Sequence, residues 1–127
     1  MKEITVEKAE GIHHKLIEKY GGAKGIRDLG GLEAALARPF QTFGGEDLYP
    51  SPIEKAASIL ESVIIRHPWL DGNKRTGFML MAFILAKHRI RITASEDECY
   101  AMTITVAEGR SSAAEIRSWI ASHSARV

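Results

Sequence analysis

With 127 residues and 45% hydrophobic side chains, the chain is long enough to bury a real core and short enough to predict one domain over 1–127. Seventeen Lys and Arg against sixteen Asp and Glu leave a formal charge of +1, which excludes a global field for nucleic acid or an anionic membrane surface; any cationic function must be local. Its one cysteine, Cys99, excludes an internal disulfide and a Cys-rich zinc site, and reads as a small core residue in a reducing compartment.

Met1-Lys2-Glu3-Ile4 lacks the apolar stretch of a signal peptide, which predicts a cytoplasmic protein. Thr5 can cap a first helix in which Ala9, Ile12, Leu16, Ile17 and Tyr20 recur at helical spacing, predicting a core face that Gly21-Gly22 terminates. His13 and His14 are adjacent rather than four apart, so they read as one surface and one half-buried residue, not a metal pair. Residues 21–31 form a Gly-rich connector without a phosphate-loop pattern. Leu32, Ala35 and Leu36 predict a short helix that ends before Pro39, because the residue before proline avoids helical angles. In the long connection 39–50, Gly44-Gly45 between Thr42-Phe43 and Glu46-Asp47 fits either a small hairpin or an ordinary surface loop.

Ser51-Pro52-Ile53-Glu54 is a capping box with proline at the first helical position, and Ile53, Ala56, Ala57, Leu60, Val63 and Ile64 give the helix that follows one apolar face. That helix leads to His67-Pro68-Trp69-Leu70-Asp71-Gly72-Asn73-Lys74-Arg75, where Pro68 and Gly72 forbid a continuous helix. The apolar run 77–86 is too short for a bilayer, which needs about 20 residues; it predicts a buried central helix with Asn73 to Arg75 at its N-terminus. Lys87-His88-Arg89 reads as solvated capping of that helix, and Ile90-Arg91-Ile92 as an extended connector. Capping boxes at Ser95–Glu98 and Ser112–Glu115 start two more helices, separated by Glu108-Gly109, with Ile104, Val106 and Ala107 facing inward on one and Ile116, Trp119 and Ile120 on the other. The sum is an all-α bundle of about six helices.

Each residue of the 67–75 stretch has a bland reading: His67 a structural histidine, Asp71 a turn former, Asn73 a cap. Those readings do not explain Lys74 and Arg75 in a first helical turn, where cations are disfavoured unless an anion sits there. The chemistry that uses the whole set is attack of a hydroxyl on a nucleotide phosphate. His67 can take the hydroxyl proton, Asp71 can hold Mg²⁺, and Gly72, Asn73, Lys74, Arg75 and the exposed amides can stabilise the phosphates. Which phosphate is attacked stays open on these residues alone.

The stretch resembles the signature of the Fic/Doc superfamily: His, any residue, Phe, any residue, Asp or Asn, Gly or Ala, Asn, Gly or Lys, Arg. His67, Asp71, Gly72, Asn73 and Arg75 fall on the shared positions, and Trp69 replaces the usual Phe with another large aromatic. Lys74, and Phe78 where Fic enzymes carry a further Arg, point to the Doc (death on curing) branch; the resemblance spans roughly residues 29–92. It implies a compact Fic/Doc fold in which Thr42, Phe43, Gly44, Gly45, Glu46 and Asp47 form a flap that aligns a target segment by adding a strand. Members with Gly at the eighth position transfer AMP, whereas Doc-like members with Lys there transfer the γ-phosphate of ATP to a threonine of translation elongation factor Tu. Glycine leaves room for phosphate oxygens near the backbone, and Lys74 fills that room and adds charge. The resemblance therefore implies a kinase toxin using ATP and Mg²⁺, with AMP transfer or an inactive nucleotide- or partner-binding module as alternatives. It also implies restraint in trans by the helical tail of an antitoxin, since neither Glu10-Gly11 nor Glu108-Gly109 has a Ser or Thr four residues before the Glu. No direct nucleic-acid or membrane partner is implied.

Overall fold

The structure, a computed structural model, describes residues 4–127; Met1 to Glu3, on which the expectation of an N-terminus without an apolar leader largely rests, lie outside them. The described residues form six α-helices and two short antiparallel ribbons, an all-α fold.

Helix α1 (Val6–Tyr20) starts where the Thr5 hydroxyl accepts the Lys8 N–H at 3.1 Å, and it buries Ala9, His13 and Ile17, four residues apart on one face. Tyr20 departs from the expected core face and is 46% exposed. Helix α2 (Leu29–Ala37) is capped by Asp28, whose carboxylate accepts the Gly31 N–H at 2.9 Å. The α-helix ends before Pro39 as expected, but not because the residue before proline leaves helical angles. Arg38 keeps helical angles, φ −52° and ψ −45°, and the chain tightens into a 3-10 turn, Arg38–Phe40. Pro39 is tolerated at the start of that turn, where its missing N–H is not needed. Arg38 is also held in place, donating to Glu61 Oε1 at 2.8 Å, Ser62 Oγ at 2.9 Å and the Tyr49 hydroxyl at 3.0 Å.

The two-residue strands β1 (Thr42–Phe43) and β2 (Glu46–Asp47) pair antiparallel, Phe43 opposite Glu46 and Thr42 opposite Asp47. Gly44 and Gly45 have φ of +60° and +85°, the left-handed pair a two-residue hairpin turn requires, so the hairpin forms rather than the ordinary loop. Its base is tied to α3 (Pro52–Arg66) by the buried Lys55, which donates to Asp47 at 3.1 Å, to the Pro39 carbonyl at 3.3 Å and to the Tyr49 carbonyl.

Helices α3 and α4 (Asn73–Lys87) pack along each other, with Gly77 of α4 set against Val63 and Ile64 of α3; a Cβ on Gly77 would meet both at 3.3 Å. The more enclosed of the two is α3, with Ala56, Ile59, Leu60, Val63 and Ile64 fully buried. The expectation that 77–86 is buried all round is corrected: Phe78 and Phe83 are half-buried and Met79 is 43% exposed, because α1, α3 and α5 leave one side of α4 uncovered.

Residues 90–92 are more than a connector: β3 (Ile90–Ile92) pairs antiparallel with a terminal strand β4 (Ser124–Arg126) that local sequence did not suggest. Helices α5 (Glu96–Ala107) and α6 (Ala113–Ser122) start on Ser95 and Ser112, each with the reciprocal capping box complete. On α5 the core residues are Met102 and Val106 rather than Ile104, while Ile116 and Ile120 of α6 are buried and Trp119 packs half-buried beside them. One buried cluster runs from Ile4 through α1–α6. No helix among the described residues is long and apolar enough to cross a membrane.

Candidate active site

The 67–75 stretch is the loop between α3 and α4. His67 is the C-cap of α3 in the left-handed conformation, φ 50° and ψ 57°, with its side chain exposed. Such a backbone costs a non-glycine residue about 1–2 kcal/mol, and histidine adopts it more readily than most. The Arg27 guanidinium closes the helix end, donating to the Arg66 carbonyl at 2.6 Å and the His67 carbonyl at 2.8 Å. Two residues on, Trp69 is 1% exposed and anchors the loop: its ring stacks on the His13 ring with centroids 4.6 Å apart, and its indole N–H donates to a Glu10 carboxylate oxygen.

Asn73 is 8% exposed, and its side chain is committed to the Trp69 backbone, accepting the N–H at 3.0 Å and donating to the carbonyl at 2.9 Å. This corrects the reading of Asn73 as a cap or phosphate ligand through its side chain; what it can offer an anion is its N–H. Gly72 supplies the turn with φ 76°, and a Cβ there would sit 3.1 Å from Ile17 and 3.6 Å from the His13 ring. The carbonyl of Asp71 accepts a hydrogen bond from His13 Nε2 at 2.8 Å, so that nitrogen carries the proton.

The start of α4 differs from every other helix start. Thr5, Asp28, Ser51, Ser95 and Ser112 each place a side-chain oxygen on an N–H of the first turn, while α4 has no side-chain cap and no acidic residue in its first turn. Instead Lys74 and Arg75 stand there, half-buried and exposed. The unpaired amides, the positive end of the helix and two cations point the same way. Arg75 is oriented by Tyr20, whose ring lies 4.2 Å from the guanidinium carbon. That contact explains why Tyr20 left the core. Lys74 and Arg75 line a groove of about 480 Å³ together with Tyr20 of α1, Phe78 and Met79 of α4, and Glu96, Asp97 and Tyr100 of α5. His67 and Asp71 lie on the loop leading to that groove and do not line it. Cys99 also lines it, correcting its placement in the core; burial and the Glu98 carboxylate push its thiol up.

Asp71 is exposed, and each carboxylate oxygen accepts one backbone N–H, Oδ2 from Ala23 at 3.2 Å and Oδ1 from Gly72 at 3.1 Å. Both oxygens retain a free lone pair. No group of three or more His, Cys, Asp or Glu suited to a metal is found among the described residues. A cation at Asp71 would therefore take one carboxylate and complete its shell with water or phosphate oxygens, a donor set that fits Mg²⁺.

The Gly-rich connector, which carries no phosphate-loop pattern, is moulded onto this loop. Ile26 bridges to Trp69, the Leu70 N–H donates to the Gly25 carbonyl at 3.0 Å, and Gly22 abuts Asp71. A Cβ on Gly22 would lie 2.9 Å from Asp71 Oδ2 and 3.1 Å from Ile17 on a backbone with φ +119°. Gly22→Ala should therefore cost about 1–3 kcal/mol of stability, measurable by urea unfolding. An unchanged midpoint would mean that the connector is free of Asp71.

The hairpin 42–47 is tied to α3 through Lys55, and of the residues flanking it Arg38, which bonds the Tyr49 hydroxyl, meets Glu61 and Ser62 of the same helix. Lys55, its anchor, lies near the start of α3, and at about 1.5 Å per residue His67 is about 18 Å further along that helix. Both hairpin strands are exposed, and Phe43 is 81% exposed.

Comparison with known proteins gives the family. A family profile described as the Fic/DOC family matches residues 3–85, which takes in α1 to α4 almost to its end. The chain is similar to a protein named Toxin Doc from Mycolicibacterium smegmatis, 40% identical over 78 residues, 61% of this chain and 60% of that relative's length. It is also similar to a protein named Protein kinase doc from Escherichia phage P1, 27% identical over 116 residues, 91% of this chain and 90% of the relative. With the profile covering well over half of its length and the signature loop set on an uncapped, cation-bearing helix, the chain belongs to the Fic/DOC family.

Proposed function

We propose that this protein is the toxin of a toxin–antitoxin pair and transfers the γ-phosphate of ATP to a threonine or serine hydroxyl of a target protein. The observation that carries the reading is the start of α4: among the described residues it is the one α-helix start without a side-chain cap, and it bears Lys74 and Arg75 and opens on the groove. The printed names of the two relatives, a toxin and a protein kinase, support it.

In this reading the phosphates lie against the free amides of residues 73–75, with Lys74 and the Tyr20-braced Arg75 balancing the charge that shifts toward the leaving group. His67 accepts the proton of the target hydroxyl. The bond between that oxygen and the γ-phosphorus forms, the bond to the β–γ bridging oxygen breaks, and ADP leaves. Asp71 would hold Mg²⁺, which would supply neutralisation of the phosphate charge. The hairpin serves as the flap: its exposed main chain can take a target strand. By family resemblance the target is translation elongation factor Tu, the consequence is inhibited translation in the cytoplasm, and restraint comes from an antitoxin tail that folds on this domain.

The competing outcome is AMP transfer, in which the hydroxyl attacks the α-phosphorus and pyrophosphate leaves. Lys74 decides between them, since its half-buried side chain occupies the space that glycine leaves open. Incubation with ATP, Mg²⁺ and a bacterial lysate, followed by mass spectrometry of modified proteins, should show added phosphate on a threonine. Lys74→Gly should reduce that product by about tenfold or more. Addition of AMP by the parent protein would place the chain with the AMP-transferring members.

A further inference from the structure

We infer that Arg27, in the α1–α2 connector, is a positioning residue that sets the direction of the His67 imidazole; this rests on the reading of His67 as the proton acceptor. The peptide planes on either side of the His67 Cα are those carrying the Arg66 and His67 carbonyls. The Arg27 guanidinium holds both, at 2.6 Å and 2.8 Å. The next carbonyl, that of Pro68, is also held from the same place, by the backbone N–H groups of Arg27 at 2.8 Å and Asp28 at 3.0 Å. Three successive carbonyls are thus fixed by two adjacent residues.

Two rigid planes joined at one Cα leave no freedom in φ and ψ, so the only motions left to His67 are its two side-chain torsions. The constraint matters because the conformation it enforces is unfavourable: His67 and Arg89 are the only non-glycine residues with positive φ among the described residues. Without the clamp the backbone at 67 has easier conformations available, and each would swing the imidazole away. A guanidinium suits this role better than an ammonium because its planar fork reaches two acceptors at once. Its charge also matches the negative end of α3.

A cap that served stability alone would lower the melting temperature and leave turnover by the folded protein untouched. A positioning residue gives the opposite pattern. The probe is labelled ATP with Mg²⁺ and a bacterial lysate, at a temperature where circular dichroism shows each variant folded. Arg27→Met should lower the initial rate at saturating ATP by about 100-fold, with the half-saturating ATP concentration within about threefold of the parent, since misplacement of one group by about 1 Å is enough for such a loss. Arg27→Lys, which keeps charge but reaches one acceptor, should fall between them. Millimolar methylguanidinium should restore part of the rate to Arg27→Ala and none to His67→Ala. A folded Arg27→Met, or Arg27→Lys should Met fail to fold, with the parental rate beside an inactive His67→Ala would overturn the inference while leaving the proton acceptor in place. A fully active His67→Ala would remove the proton acceptor itself, and the inference with it.

Discussion

Replacing His67 with alanine should lower the transfer rate by about 10²–10⁴-fold, the usual contribution of a positioned general base, while the helical spectrum and the melting temperature stay close to the parent's. The side chain is exposed and packs against none of the buried cluster, so its removal opens no cavity. What the substitution does touch is backbone preference, since alanine is less at ease than histidine with φ of 50°. His67→Asn separates the two effects, because asparagine tolerates left-handed angles but is no base at neutral pH. Both variants should be equally inactive, with Asn the more stable. Parental rates in folded His67→Asn would show that proton removal at this position is not part of the reaction.

Trp69→Ala should have the largest effect on stability of any single change in the loop, about 3–5 kcal/mol, the range for truncating a buried large aromatic. A typical domain of this size has only about 5–15 kcal/mol in total, so the variant should be largely unfolded at a growth temperature. The loss is concentrated because the indole stacks on His13 and bonds Glu10 of α1, and so seats a backbone that bridges to Ile26 of the connector and takes both side-chain bonds of Asn73 at the start of α4. Trp69→Phe, which restores the aromatic usual in the family, gives up the indole N–H and part of the ring volume but keeps the stack on His13. Glu10 is partly exposed and can turn to water, so that variant should lose about 1 kcal/mol. Equal melting temperatures for Trp69→Ala and Trp69→Phe would mean that the ring is not the anchor of the loop.

Much of this protein was legible because its signals are short in range. A capping box spans four residues, and both Ser95–Glu98 and Ser112–Glu115 close reciprocally as their spacing requires. The Gly44-Gly45 turn and the loop from His67 to Arg75 were equally readable, since a left-handed glycine pair and a proline–glycine interruption act on the backbone locally. The misfit of Lys74 and Arg75 in a first turn could be judged without any tertiary contact, because the helix end carries its own field.

Tertiary structure alone decided what holds that loop in shape. His13 reaches Asp71 across 58 positions of sequence, Trp69 reaches Glu10 across 59, and Arg27 reaches the end of α3 across 39 and 40. Helical periodicity says which face a residue occupies but not whether that face meets a hydrophobic neighbour or the rim of a site. Tyr20 therefore looked like core and proved to brace Arg75, and Cys99 looked like core and proved to line the groove. Strand β4 was invisible for a related reason: Ser124, Ala125 and Arg126 have little strand character of their own and form one only because Ile90 to Ile92 offers an edge to pair with. The residues of the candidate site are written in one short stretch of sequence, whereas those that hold its loop come from α1 and the connector, brought near by packing that no local pattern encodes.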